Sequence, residues 1–377
     1  MRIKGIQLTL MIGPVFGIPV SRDILEALTS IKVDTHAGDT QSGFELNFAL
    51  DKRSPLHTLF LVTGGAGIPL VRVVIVATVN GTPDVLIDGV MTHHQVEPGT
   101  GGAPSTLKVQ GKDLSSVMSY IDFSGIPYPA MPLFARAALV IAKYAWLGLV
   151  PKVIPAIVED IPIPVDRIPR HRGTDFDYVS LLARRAGYVF YIEPGPAPGV
   201  SFAYWGPEIR VGVPQPALNV DMDAHTNVDS ISFSFDKEKK EMPVVFIQEP
   251  ISKAPIGIPI PDISPLNPPL AAVPPLPPKL TFLDDTAQMS IPQALMTGLA
   301  YAAQHSDAVT ANGSLDVLRY GRILKSRQLV GLRGVGAAFD GLYYVSSVTS
   351  ELKRGEFKQN FTLARNGVIS TLPTVPA

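Results

Sequence analysis

The sequence predicts an α+β protein that is mainly β, in which two antiparallel β modules flank a helical or mixed module. Three observations favour this class. Short β-rich runs separated by turn residues fill the first hundred residues and the last sixty. Helix-capping and apolar helix patterns fall between them. The chain of 377 residues is long enough for two to four such modules.

The first β module is predicted over residues 1–110, as a small antiparallel barrel or sandwich. Runs typical of strands occupy residues 31–34, 43–48, 84–91 and 106–109. The β-branched run 71–79 meets Asn80-Gly81, the dipeptide that best predicts a two-residue hairpin. A short helix is expected at residues 23–28.

A helical connecting module is predicted over residues 111–187. Asp113 is placed to cap the helix that leaves the first β module. Residues 134–149 are predicted to form a long apolar helix. Thr174 and Asp177 have the spacing of a capping box, and Gly187 is placed to end the helix that they begin.

The second β module is predicted in two parts, over residues 188–249 and 280–377. Strands are expected at residues 188–192, 200–205, 209–213 and 228–235. Ser290 is predicted to cap a helix over residues 291–304, with Pro292 in its first turn. The strands of the last sixty residues would then complete the module.

A proline-rich extended insertion, predicted over residues 250–279, separates the two parts. Eleven prolines fall within the 29 residues 250–278. Proline removes hydrogen bonds from a β ladder and favours polyproline II. The Ile, Leu and Val content predicts an extended strap lying on another surface, and a stiff exposed spacer is the alternative.

The end of the chain alternates strands with tight turns. An apolar run covers residues 323–332, and alternating runs cover residues 342–352 and 356–364. Asp340-Gly341 and Arg354-Gly355 supply the turns between them.

The order of these pieces resembles the C-terminal end of the phage late-control protein D family, the hub proteins of contractile tails, which are related to the first part of VgrG spike proteins. The resemblance depends on five short motifs: Gly321-Arg322, Gly334-x-Gly336, Asp340-Gly341-x-Tyr343, Gly355-x-Phe357 and Arg365-Asn366. Residues 174–192 form a second similar block, and residues 106–120 agree more weakly.

The resemblance implies a structural baseplate hub of a contractile, phage tail-like injection system. Two tube-like barrels per chain would form a homotrimer, a pseudo-six-fold ring that adapts the symmetry of a tail tube protein above it to that of a spike protein below it. VgrG-type chains continue into a spike, so a separate spike chain is expected here, together with other baseplate proteins. The proline-rich insertion has no counterpart in the family pattern and would contact a neighbouring particle protein.

Composition agrees with permanent assembly. Hydrophobic residues make up 46% of the chain and charged residues 17%, which predicts surface buried against partners. The net charge of −1 argues against a specific nucleic-acid binder. Residues 134–150 carry Arg136 and Lys143 and are too short for a membrane span. The broken apolar start predicts a first strand, so we expect synthesis in the bacterial cytoplasm without a signal peptide.

No catalytic, cofactor-binding or metal-binding residues are predicted, and the protein is not expected to be an enzyme. Cysteine is absent, and Gly64-Gly65-Ala66-Gly67 lacks the lysine of a phosphate-binding loop. The pair His93-His94, the carboxylate pairs Glu159-Asp160 and Asp284-Asp285, and Glu193 are interpreted as solvent-exposed side chains. The row from Asp221 to Asp229 is interpreted as the solvated face of a strand, with a site for a hard cation as the alternative. The alternatives are a tail-associated cell-wall hydrolase and a carbohydrate-binding β-sandwich module.

Overall fold

The protein is described by a computed structural model. It describes residues 5–50, 70–99, 104–155, 164–165, 168–248, 254–261, 267–283, 286, 289 and 291–372, together with the backbone of residues 2 and 3.

The described residues up to 113 form eight strands and one short helix. Their bounds are β1 Arg2–Ile3, β2 Ile6–Pro14, β3 Ile18–Pro19, α1 Arg22–Ala27, β4 Leu28–His36, β5 Gly43–Leu50, β6 Val71–Val79, β7 Thr82–Glu97 and β8 Ser105–Asp113. The antiparallel order is β1-β2-β6-β7-β8-β5-β4, with β3 beside β2. Side chains of β5 alternate between buried and half-buried, because one face of the strand packs on the core.

The predicted Asn80-Gly81 hairpin is confirmed. The strands that it joins, β6 and β7, pair from Val79 and Thr82 onwards. Asn80 and Gly81 have φ angles of 50° and 84°, the left-handed values that a type I′ turn needs at both positions. Glycine accepts such an angle without strain, and asparagine is among the few other residues that tolerate it.

The middle of the chain contains two helices and a small sheet. The elements are a 3₁₀ helix at Leu114–Ser119, α2 Leu133–Ala142, a 3₁₀ helix at Ala145–Leu147, β9 Leu149–Val153, α3 Asp175–Ala186, β10 Val189–Pro194 and β11 Ser201–Gly206. β10 and β11 are antiparallel, and β9 adds to β11 in parallel. Trp205 and Phe190 of this sheet share one hydrophobic core with Tyr178 and Leu182 of α3. The domain boundary predicted between residues 187 and 188 therefore divides a single core.

The capping box predicted for α3 is confirmed. The Thr174 hydroxyl accepts a hydrogen bond from the Asp177 backbone N–H at 3.2 Å, and the Asp177 carboxylate accepts one from the Thr174 backbone N–H at 3.3 Å. Gly187 ends the helix with a φ of 70°.

The apolar helix predicted over residues 134–149 is shorter than expected. α2 ends at Ala142, and the chain then turns so that Lys143 and Tyr144 both bond to Asp175. Gly148 follows in the left-handed conformation and leads into β9. Anchoring of two side chains on the neighbouring helix thus overrides the apolar periodicity.

In the last part of the chain, the residues that the structure describes form eleven strands and two α-helices. They are β12 Gln215–Asn219, β13 Val228–Phe235, β14 Glu241–Gln248, β15 Pro255–Pro259, β16 Ala271–Val273, β17 Lys279–Leu283, α4 Ile291–Gln304, β18 Val309–Asp316, α5 Val317–Tyr320, β19 Leu329–Arg333, β20 Gly341–Lys353, β21 Glu356–Arg365 and β22 Val368–Ser370. β20, β21, β18 and β13 pair in that order, and β12 reaches β20 through β19.

The two β modules meet edge to edge. β4 pairs with β20 in the antiparallel direction, so the strands of both modules belong to one 14-stranded sheet. Ile31 and Leu352 face each other across this joint and are buried in the core that both modules share. The predicted α+β, mainly β class is confirmed, while the division into domains stays a prediction.

Two described parts of the proline-rich segment are paired strands and do not form a free spacer. β15 pairs with β14 in the antiparallel direction, and β16 pairs with β22. β17 adds to the other side of β14, and α4 packs on this three-stranded sheet through Val245, Ile260 and Ala294. The polyproline II expectation was therefore wrong for residues 255–259 and 271–273.

Two predicted strands are absent from fully described segments. Residues 209–213 form no strand, because Arg210 turns into the protein and bonds to Asp307 at 2.7 Å. Residues 323–328 are irregular as well, and only Leu329–Arg333 of that run is extended. Ile323 and Leu324 are nevertheless buried in the core. A buried segment that pairs with no strand thus has the same apolar sequence pattern as a buried strand.

Candidate assembly surfaces

The residues that carry chemistry in other proteins are dispersed here. His93 and His94 are neighbours on β7, so their side chains leave opposite faces of the strand. Within the described residues, no group of three or more His, Asp or Glu side chains is close enough to hold a metal ion. Glu193 lies in β10. Gly64 to Gly67, the pairs Glu159-Asp160 and Asp284-Asp285, and Ser290 lie outside the described residues.

The acidic row from Asp221 to Asp229 does not share a strand face. Asp221 lies in a turn, Asp223–His225 forms a 3₁₀ turn, and β13 begins only at Val228. Asn227 instead bonds to the backbone of β12, where its side-chain oxygen accepts from the Asn219 N–H at 2.8 Å. The row is a connection between strands, stabilised by its own side chains.

A buried ion pair joins the first β module to the middle of the chain. Arg72 Nε and Nη2 donate to the two carboxylate oxygens of Asp88, both at 2.7 Å. The same guanidinium donates to the carbonyls of Val15 and Gly199 at 3.1 Å, and the Ser201 hydroxyl donates to Asp88 at 3.3 Å. The sequence patterns did not predict this pair. The available signal was Arg72, a charged residue inside the apolar run of β6.

A second buried polar cluster connects α2 and α3. Asp175 accepts hydrogen bonds from Lys143 at 2.9 Å and from the Tyr144 hydroxyl at 2.8 Å, and its carboxylate lies 3.3 Å from His171 Nε2. Burial lowers the pKa of His171, partly opposed by Asp175. His171 Nδ1 lies 3.0 Å from the Tyr128 hydroxyl, within hydrogen-bond distance. Each of these groups has a partner inside the cluster, which positions α3 on α2.

One apolar surface is the outer face of the sheet β15-β14-β17. The register places Met242 beside Leu280 and Val244 beside Phe282, on the face away from α4. Leu280 and Phe282 are more than half exposed, and Phe282 stacks on Phe246 with ring centroids 5.8 Å apart. Exposed apolar patches of this kind mark interaction sites on soluble proteins.

Further apolar side chains are exposed elsewhere. Leu139 of α2, Trp146 and Val150 are about half exposed on consecutive elements of the middle module. Phe16 and Ile18 are largely exposed next to β3. Trp205, by contrast, is completely buried.

Within the described residues, no helix is both long enough and apolar enough to cross a bilayer.

Three solved structures show what this arrangement is similar to. The chain resembles the tail protein from Neisseria meningitidis MC58, with a TM-score of 0.62 and 12% identity over 97% of this chain and 98% of that one. It resembles the 43 kDa tail protein of prophage MuSo2 from Shewanella oneidensis, with a TM-score of 0.63 and 11% identity over 96% and 98%. It also resembles a chain of the Francisella PdpA-VgrG complex, with a TM-score of 0.61 and 9% identity, over 100% of this chain and 55% of that one.

No protein-family model matches this sequence, and no curated protein matches it. The sequence identities to the three solved chains are 12% or lower, so the likeness establishes a shared fold and nothing further. The resemblance to tail hub proteins that the sequence motifs predicted is confirmed at that level: the chain has the fold of the two tail proteins and of the matched chain of the PdpA-VgrG complex.

Proposed function

We propose that the protein is a structural baseplate hub of a contractile, phage tail-like injection particle. Three copies form a ring with pseudo-six-fold symmetry, which joins a tail tube protein on one side to a spike protein on the other. One observation carries the proposal: the fold matches two phage tail proteins along almost the whole length of both chains.

The exposed apolar surfaces support permanent assembly. The face with Leu280 and Phe282 and the surface with Leu139 and Trp146 lie on different parts of the molecule. Obligate interfaces bury such side chains, because removing apolar area from water stabilises the complex. A hub in contact with two copies of itself and with proteins above and below it needs several interfaces of this kind.

The proposed role is structural and not catalytic. Several buried charged groups of the described residues take part in packing: Arg72 with Asp88, Arg210 with Asp307, and Asp175 with Lys143. The pair of Arg210 and Asp307 joins segments that are distant in the sequence, which is what a rigid adaptor requires.

The experiment is a mass measurement in solution by light scattering across a hundredfold range of protein concentration. We expect three times the protomer mass of 40.4 kDa, with no dependence on concentration. A stable monomer throughout the range would contradict the ring. A monomer would also be the expectation for a free carbohydrate-binding module.

We also propose that the proline-rich segment contacts a neighbouring protein of the particle. Leu276 is 90% exposed and Val273 is 50% exposed. The double substitution Leu276→Ser and Val273→Ser should reduce the number of assembled particles seen by electron microscopy while the purified protein keeps its thermal midpoint. Val213→Ser, at a position 92% exposed outside this segment, is the matched control. Normal assembly with the double variant would refute the contact.

A further inference from the structure

A cavity of about 690 Å³ lies in the middle module, beside the cluster around Asp175. Its walls come from α2, from residues 168–172, from α3 and from the residues around the start of α4. This volume is larger than a single small ion needs. It falls in the range of pockets that bind small molecules or peptide side chains.

The cavity is strongly cationic. Arg136, Arg170, Arg172 and Arg185 all line it, and none of its described lining residues is acidic. The two nearest carboxylates on α3 are engaged elsewhere: Asp175 bonds to Lys143 and Tyr144, and Asp177 belongs to the capping box. These two carboxylates therefore do not balance the charges of Arg136, Arg170 and Arg172.

Arg136 gives the cavity its specific feature. The residue is only 4% exposed, and its Nη1 donates to the Tyr178 hydroxyl at 3.1 Å. Its Nε is buried and has no hydrogen-bond partner. A buried guanidinium donor without an acceptor is costly, because the group has lost water and gained nothing in exchange. The residue lines the cavity, so an anion that enters there would offset part of this cost through its charge.

We propose that the cavity binds an oxyanion, a carboxylate or a phosphate group, on Arg136. The guanidinium fork matches the geometry of both groups and can hold two oxygens at once. Arg170 and Arg172, which are exposed, attract the anion to the entrance. The first turn of α4, a helix of 14 residues, contributes Gln293 to the wall, and its N-terminal dipole favours negative charge.

Part of the wall is apolar and accommodates the body that carries the anion. Leu133 of α2, Leu181 of α3 and Met289 line the same cavity. A free phosphate would use the arginines alone, whereas an acidic peptide would also bury side chains against these residues. The inference is independent of the hub proposal, because it depends on this cavity and not on the ring.

The test is calorimetric titration of the full chain at low salt with two probes, inorganic phosphate and N-acetyl tetraglutamate. Saturable binding of either probe is expected, and the tighter of the two identifies the source of the anion. Arg136→Gln should weaken that binding about tenfold or more, since hydrogen bonds to charged groups are strong. The double variant Arg170→Ala, Arg172→Ala replaces exposed side chains and tests the entrance without disturbing the core.

Arg184→Ala is the matched control, because Arg184 is an exposed arginine of α3 that does not line the cavity. Its binding should equal that of the unmodified protein. The proposal would be overturned if neither probe bound saturably. It would also be overturned if Arg136→Gln, or the Arg170, Arg172 double variant, bound with the same affinity as the unmodified protein and Arg184→Ala.

Discussion

At the scale of single residues, the pair of Arg72 and Asp88 joins three segments that are far apart in the chain. The guanidinium reaches the loops at Val15 and Gly199, and the carboxylate reaches Ser201. Both side chains are fully buried, so their charges depend on each other and on these carbonyls. The attraction within such a pair contributes little net stability to the fold. Removing one partner is costly, because the other charge then stays buried without compensation.

The first prediction concerns this pair. Asp88→Ala should lower the free energy of unfolding by about 3–5 kcal/mol, because it leaves Arg72 charged and buried without its partner. Urea denaturation measures the loss. The double variant Arg72→Met, Asp88→Leu should recover much of it, and Glu26→Ala, in an exposed ion pair with Arg22, is the control. A loss below about 1 kcal/mol in Asp88→Ala would contradict the structural role assigned to the pair.

Residue-scale contacts of this kind were beyond what the sequence could predict. Arg136, Arg170 and Arg185 are separated along the chain, and nothing in their spacing indicates that they line one cavity. The opposite error occurred at Asp221 to Asp229, where the spacing suited a strand face but the chain turns. The capping box at Thr174 was predictable, because both partners lie within one helical turn.

At the scale of elements, Glu241 holds the small sheet and α4 together. Its carboxylate accepts hydrogen bonds from Lys279 at 2.7 Å, from Thr281 at 2.6 Å and from the Tyr301 hydroxyl at 2.9 Å. These bonds, that from Lys279 first, lower the pKa of Glu241 to about 2. Three elements, β14, β17 and α4, therefore depend on one ionised group.

The second prediction is a pH dependence. Because the folded protein lowers the pKa of Glu241 from an ordinary 4.5 to about 2, the ionised group stabilises the fold above the ordinary value. That contribution is lost as pH falls from the ordinary value towards the lowered one. The stability difference between the unmodified protein and Glu241→Gln should thus be full at about pH 6 and smaller at about pH 3.

Urea denaturation at the two pH values measures this difference, and Glu97→Gln, at an exposed position of β7, is the control. A difference that is the same at both pH values would show that Glu241 does not act through its charge.

The third prediction concerns the start of α3. Thr174→Ala should lower the free energy of unfolding by about 1 kcal/mol, because the Asp177 N–H loses its acceptor at the helix N-terminus. Thermal denaturation followed by circular dichroism measures the change, with Ser234→Ala on an exposed position of β13 as the control. Equal midpoints for the two variants would mean that packing on α2 alone holds the helix.

Elements with strong local signals were predictable, and their partners were not. β6 and α4 have the bounds that the sequence predicted. Both signals are local: a β-branched run that ends at Asn80-Gly81, and an apolar helix with a proline in its first turn. The pairing of β15 with β14 was missed, because prolines argued against a ladder. Those prolines, Pro255 and Pro259, fall at the two ends of the short strand β15, which lies at the edge of its sheet.

At the scale of the whole molecule, β4 and β20 make one body of the two β modules. The pairing joins Ser30–His36 with Ser347–Lys353, more than three hundred residues later in the chain, and the modules share one hydrophobic core. No local pattern carries information about a contact so distant, whereas the order of turn motifs did point to the fold as a whole. Two modules joined in one sheet have a fixed arrangement, which the proposed ring requires.

We propose that three such bodies form a ring. Single-particle electron microscopy of the purified protein tests this most directly. We predict averaged images of a closed ring of three protomers, with six similar lobes around a central hole. Images of single protomers, or of open chains without a hole, would contradict the account.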